Sequence, residues 1–147
     1  MNKNKIAFIV VLTAVVFITG CTRTTENDVI EIRERMFMTQ IQDIYLNVND
    51  FLGKTIKLEG IFSDIFWNGN NYYYVVRYVT DDCCGNDSVG FEVMWPQGSA
   101  GQIPGNNSWV EATGVMKVSA GGFHQPFYLE LTSLNVLNTR GQEFISR

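Results

Sequence analysis

The chain is poor in histidine, proline and cysteine: 147 residues hold one histidine, three prolines and three cysteines. With His124 alone, a Ser-His-Asp triad has a single possible base, and nothing beside it in the sequence suggests one. There is no nucleophile elbow, phosphate-binding loop, HExxH pair or dinucleotide fingerprint. Positive charge is also scarce: 11 Lys and Arg stand against 15 Asp and Glu, for a net charge of −4. Nucleic-acid affinity comes from neutralising phosphates with Lys and Arg, so no nucleic-acid partner is expected. No apolar run reaches the roughly 20 residues of a comfortable membrane span.

The longest apolar run is Ile6–Ile18, behind the basic pair Lys3 and Lys5. It is flanked as a signal h-region would be. Ile18-Thr19-Gly20-Cys21 follows and resembles the bacterial lipoprotein signal, in which the cysteine is lipidated and becomes the new N-terminus. Residues 1–20 are therefore expected to be a lipoprotein signal peptide, 21–27 a polar tether and 28–147 one domain. The other reading is a short anchor helix with an incidental cysteine. Loss of the leader, with two lysines and no acid, takes the net charge from −4 to −6. An acidic body has no second, electrostatic grip on anionic lipid. The expected address is the bacterial cell envelope, outside the cytoplasm, held to a membrane by lipid on Cys21.

Cys83 and Cys84 then have no distant partner. Adjacent Cα atoms lie about 3.8 Å apart, below the usual disulfide range of about 4.4–6.8 Å. The pair is a strained vicinal disulfide, two free thiols or part of a metal site.

Hydrophobic periodicity predicts a helix from about Asp28 to Leu46, with Ile30, Phe37, Ile41, Ile44 and Val48 on one stripe. Alternation predicts strands over Thr55–Phe62, Ser88–Trp95 and Trp109–Val118, density in β-branched and aromatic residues predicts one over Tyr72–Thr80, and Phe127–Leu137 reads as the last strand. Gly60 marks a bend in the first strand. Ser63–Asn71 and the Gly/Pro-rich 96–108 read as loops, and the tail after Asn138 as loosely held. One helix and five strands predict a mainly β fold: a small five-stranded OB-like Greek-key barrel. The 96–108 loop stands where such barrels carry a helix between the third and fourth strands. The rival is an open sheet with the helix on one face.

Three segments carry a family resemblance: Ile44–Gly60 (IYLNVNDFLGKTIKLEG), Val76–Gly90 (VRYVTDDCCGNDSVG) and Trp109–Gly114 (WVEATG). Together they resemble the C-terminal domain of the YcgQ-like family of uncharacterised bacterial membrane proteins, over about residues 36–137. The shared marks are a K-T-I-x-L-E-G strand, an Arg-containing strand running into a double cysteine, and a W-V-x-x-x-G strand. The resemblance implies a partner among membrane permeases. This chain departs from the pattern in three ways. A lipoprotein signal replaces N-terminal membrane helices, Asp81-Asp82 precede the cysteines, and Gly85-Asn86-Asp87 follows them.

In the expected barrel the Asp81–Asp87 turn and the loop with His124 lie at one end. Asp81, Asp82, Cys83, Cys84 and His124 offer thiolate, carboxylate and imidazole, a donor set suited to a divalent metal such as zinc. Against this stand plain packing for the cysteines and an exposed loop for the histidine. Phe66, Trp67 and Tyr73 are candidates for a ligand-stacking surface, with Trp67 expected to be exposed. Arg77, the lone charge in an apolar strand, is expected to face outward or to pair with Glu92. The functional expectation is a non-enzymatic binding or accessory module, metal-handling and associated with an envelope permease. The alternatives are a thiol-redox protein using Cys83 and Cys84, and a structural envelope lipoprotein.

Overall fold

The computed structural model describes residues 29–81, 85–99, 101–119 and 126–146. The five expected strands are present as β2 (Thr55–Trp67), β3 (Asn70–Asp81), β4 (Gly85–Met94), β5 (Trp109–Val118) and β6 (Phe127–Val136). Two short strands, β1 (Ile30–Glu31) and β7 (Phe144–Ser146), flank them in sequence. The helical part is a 3-10 turn at Glu34–Met36, then α1 (Phe37–Leu46) and the single turn α2 (Val48–Phe51). No helix among the described residues is long and apolar enough to cross a membrane.

The five long strands form a closed ring in the order β2-β5-β6-β4-β3, with β3 returning to β2. Every pairing in the ring is antiparallel except β4 with β6, which is parallel. This is the strand order of an OB-type fold, and the protein is mainly β. Alternation supplies the interior: Ile56, Leu58 and Phe62 of β2 meet Val75, Val79, Phe91, Val93, Val110, Ala112, Met116 and Leu129 in one core. The α1 stripe of Phe37, Ile41 and Ile44 is buried in that same core. Each of these side chains contributes about 1.5–3 kcal/mol by leaving water, so α1 is held by packing rather than by caps, of which it has no side-chain example.

Gly60 is where β2 changes partners. Residues Thr55–Ile61 pair with β5, and Ile61–Trp67 pair with β3. A Cβ on Gly60 would lie 2.7 Å from the Val76 carbonyl oxygen, so only glycine lets the two backbones approach this closely. Before that point β2 and β3 part company. β1 lies parallel along the freed edge of β2, and β7 lies parallel along the freed edge of β3. The first and last described strands thus line the two sides of a fork in the sheet.

Four expectations need correction. The stretch Val29–Ile32 is not helical. Its three β-branched residues favour extended backbone, and the Ile32 N–H donates to the Lys57 carbonyl at 2.8 Å. Ser63–Asn71 is not a loop. β2 runs on to Trp67 and turns through Asn68 (φ 50°) and Gly69 (φ 84°). Two successive positive-φ residues match a tight hairpin turn. The tail is not loose: Ile145 is 5% exposed, and the Tyr78 N–H donates to the Glu143 carbonyl at 2.9 Å. Arg77 does not face outward, as described next.

Candidate functional site

Cys21, Asp82, Cys83, Cys84 and His124 lie outside the described residues, as does the side chain of Asp81. Their flanking strands are described. Asp81 ends β3 and Gly85 starts β4, paired with each other. Val118 ends β5 and Phe127 starts β6, also paired. Antiparallel β3–β4 and β5–β6 with parallel β4–β6 put all four residues at the same end of the ring. Val29, where the described chain begins, is at that end too, because β1 runs parallel to β2.

The levels differ. Val93 pairs with Leu129, so Phe127 is level with Phe91. The arm from Phe91 back to Gly85 reaches six residues further, about 20 Å at strand rise. An apolar cleft of about 640 Å³ separates this arm from α1, with Met38, Tyr45, Leu46, Val79 and Val89 among its walls. The Tyr45 hydroxyl donates to the Gly90 carbonyl at 2.6 Å and fixes the helix against the arm. Among the described residues no group of three or more His, Cys, Asp or Glu side chains is close enough to hold a metal.

The aromatic candidates separate. Phe66 (72% exposed) and Trp67 (53%) stand on the β2–β3 hairpin tip with half-exposed Ile65. Tyr73 is half-buried instead, stacked on Phe62 at 5.8 Å between ring centres and edge-on to Trp95 at 5.2 Å. It braces the core rim, and its ring is not laid open as the two tip residues are.

Arg77 lies neither outward nor against Glu92, the two places expected of a lone charge in an apolar strand. It is 1% exposed. Its pairing position is opposite Val89, whereas Glu92 is opposite Tyr74. Positions 74 and 77 are three apart, an odd step that puts the two side chains on opposite faces of the sheet. The expected ion pair is therefore excluded. Arg77 sits at the fork, where its Nε donates to the Glu59 carbonyl at 3.0 Å. That carbonyl lies on the β2 edge between the partners offered by β1 and β3. The guanidinium carbon is 4.6 Å from the Phe37 ring centre and 5.0 Å from that of Trp109. Nη1 is buried without a hydrogen-bond partner. Burial lowers the Arg77 pKa, with the Glu34 and Glu59 charges working against that shift.

Around Arg77 the fork is walled by charge. Trp109 Nε1 donates to Glu59 Oε2 at 3.4 Å, and the Gln142 N–H donates to Glu34 Oε1 at 2.9 Å, tying the tail to the N-terminal segment. Lys57 pairs with Glu111 at 2.7 Å, and this contact raises the Lys57 pKa. Glu92, on the other face, is buried with Oε2 unpartnered, and burial raises its pKa. The signal for Arg77 was visible in the sequence: a guanidinium with apolar and aromatic neighbours on both sides is either an outward residue or a buried device.

A model of the DUF1980 C-terminal domain matches residues 19–145. The chain belongs to that family. This DUF1980 C-terminal domain is the YcgQ-like domain that the three sequence segments resemble, and the match takes in the ring, the fork, β1 and all but the last residue of β7. No curated protein matches the chain.

Proposed function

We propose that this DUF1980 C-terminal domain is a non-enzymatic binding module, held outside the cytoplasm by lipid on Cys21. In this reading it handles a soft or borderline divalent metal such as zinc at the cysteine-bearing end, in the service of an envelope permease. The observation that carries the reading is the common end shared by Val29 and the β3–β4 arm. Eight peptide steps separate Cys21 from Val29, which limits the reach of the tether to about 28 Å. The arm that carries Cys83 and Cys84 would then face the membrane, and the aromatic hairpin tip would face away from it. A metal passed at that end is within reach of a membrane-embedded partner.

In this reading the donor set is the two thiolates with Asp81 and Asp82. The arm extends about 20 Å beyond the start of β6, while an eight-residue connection folded back on itself spans at most about 14 Å. His124 would join the set only if the arm bends back over the ring.

Two measurements test the reading. Protein purified with both cysteines reduced should take up one equivalent of zinc, and Cys83→Ser with Cys84→Ser should abolish uptake. Uptake by that double variant would refute metal handling at the turn, and His124→Ala reports separately on the imidazole. Cys21→Ala should abolish incorporation of labelled palmitate in cells, and retained label would refute the anchor.

A further inference from the structure

The fork forms a half-open cavity, with Arg77 at its buried side and Glu31, Arg33 and Glu34 on its exposed rim. Its volume is about 310 Å³, and its charged walls are Glu31, Arg33, Glu34, Lys57, Glu59 and Arg77. It exists because β2 and β3 separate before Ile61 while β1 and the residues after it cover the gap from one side. Pockets of this size accommodate small metabolites.

A buried guanidinium with one nitrogen unpartnered is an expensive thing to keep. An unmet buried donor costs about 1–3 kcal/mol, and more when it is charged. Two stacked rings and one carbonyl offset part of that for Arg77, and Nη1 remains unmet. Glu34 and Glu59 each commit one carboxylate oxygen to an N–H donor, from Gln142 and Trp109 respectively. Glu34 is exposed and Glu59 half-buried, so their remaining oxygens, without a partner among the described residues, are open to water or to a ligand.

The signs of these groups decide the ligand class. A simple anion drawn to Arg77 would meet three carboxylates in the same cavity, and a simple cation drawn to those carboxylates would meet Arg77 and Arg33. A metal is not favoured, since no three acidic side chains converge among the described residues. A molecule bearing both charges a few ångströms apart meets each sign with its opposite.

We infer that the fork cavity binds a small zwitterion of the α-amino-acid type, whose carboxylate pairs with Arg77 and whose ammonium pairs with Glu34 and Glu59. Guanidinium–carboxylate pairs of this kind are strong and directional. The hydrophobic lining from Ile32 and Leu58 leaves room for a short side chain. This site does not depend on the lipid at Cys21 or on a metal at Cys83 and Cys84.

The test is titration of the full chain, purified in detergent, with L-alanine, L-serine and L-glutamate, followed by calorimetry and by the indole NMR signal of Trp109. Propionate and ethylamine serve as probes that carry one charge only. The expected result is saturable binding of at least one amino acid, with both single-charge probes at least tenfold weaker. Arg77→Met should abolish binding, and Glu34→Gln should weaken it while leaving the fold intact by circular dichroism. Propionate binding as tightly as alanine would overturn the zwitterion assignment. No saturable binding to the unaltered protein would overturn the site itself, leaving water as the partner of Nη1. Neither result bears on zinc uptake, which reads the other proposal.

Discussion

Replacing Glu92 by Gln should stabilise the protein, and only where the carboxyl would otherwise ionise. Glu92 is 2% exposed, its Oε2 has no partner, and burial holds its pKa above the usual carboxylate range. Tyr74, paired with it across β3 and β4, offers no compensating positive charge. Its own hydroxyl is pushed up to about 12, by burial first and then by the Glu92 charge. An acid whose folded pKa is raised binds its proton more tightly in the folded state. Its contribution is fully present below the unfolded pKa and is lost as pH rises through the folded one. Each unit of elevation is worth about 1.4 kcal/mol once both states are ionised. Glutamine keeps the shape and carries no charge to desolvate. Glu92→Gln should therefore match the parent protein at about pH 4 and exceed it by about 1–3 kcal/mol at about pH 8. Urea unfolding followed by tryptophan fluorescence at both pH values measures the difference, with the slope m expected to stay constant. An equal difference at the two pH values would refute the reasoning. A glutamine variant less stable at the higher pH would refute it more sharply, because the carboxylate would then have a stabilising partner.

Two further outcomes follow from the fork and the tail. Gly60→Ala places a methyl 2.7 Å from the Val76 carbonyl oxygen, so β2 and β3 must separate at the crossing. The expected loss is about 1–3 kcal/mol in chemical denaturation, and an unchanged midpoint would show that the approach is not tight. Ile145→Ala empties a core position that β7 supplies and should cost about 2–4 kcal/mol. A cost below about 0.5 kcal/mol would mean that the tail does not dock on β3.

The ring strands were legible from alternation of apolar and polar residues or, in β3, from a dense run of aromatic and β-branched residues, and Gly60 announced the bend by interrupting one of them. Two errors came from residues whose local signal and tertiary role disagree. Ile30 falls at helical spacing from Phe37, yet a free backbone edge on β2 captures it as a strand. Ser63, Asp64, Asn70 and Asn71 read as loop residues, yet cross-strand pairing and a turn with two positive-φ residues carry them into a hairpin. Arg77 was a different failure. By parity Arg77 shares a face with Val75 and Val79, both in the core, so its burial was open to alternation; what holds it there is a fork whose braces come from residues 108 positions apart. No local pattern encodes those braces. The sequence alone also could not show that the cysteine arm runs six residues beyond β6, since the offset is a property of register. What it could show, from strand parity, was the shared end.

The closure of the fork also constrains the order of assembly. Glu34, one wall of the cavity, is held by the backbone of Gln142, and β7 cannot pair with β3 until Ser146 is available. A chain that emerges N-terminus first can form the ring strands one after another while this wall is still unbraced. Contacts so distant in sequence form late, because the loop between them must close first. The brace that Gln142 places on Glu34 is thus among the last contacts of the domain to form, although the cavity walls beside Arg77 all come from residues 31–77.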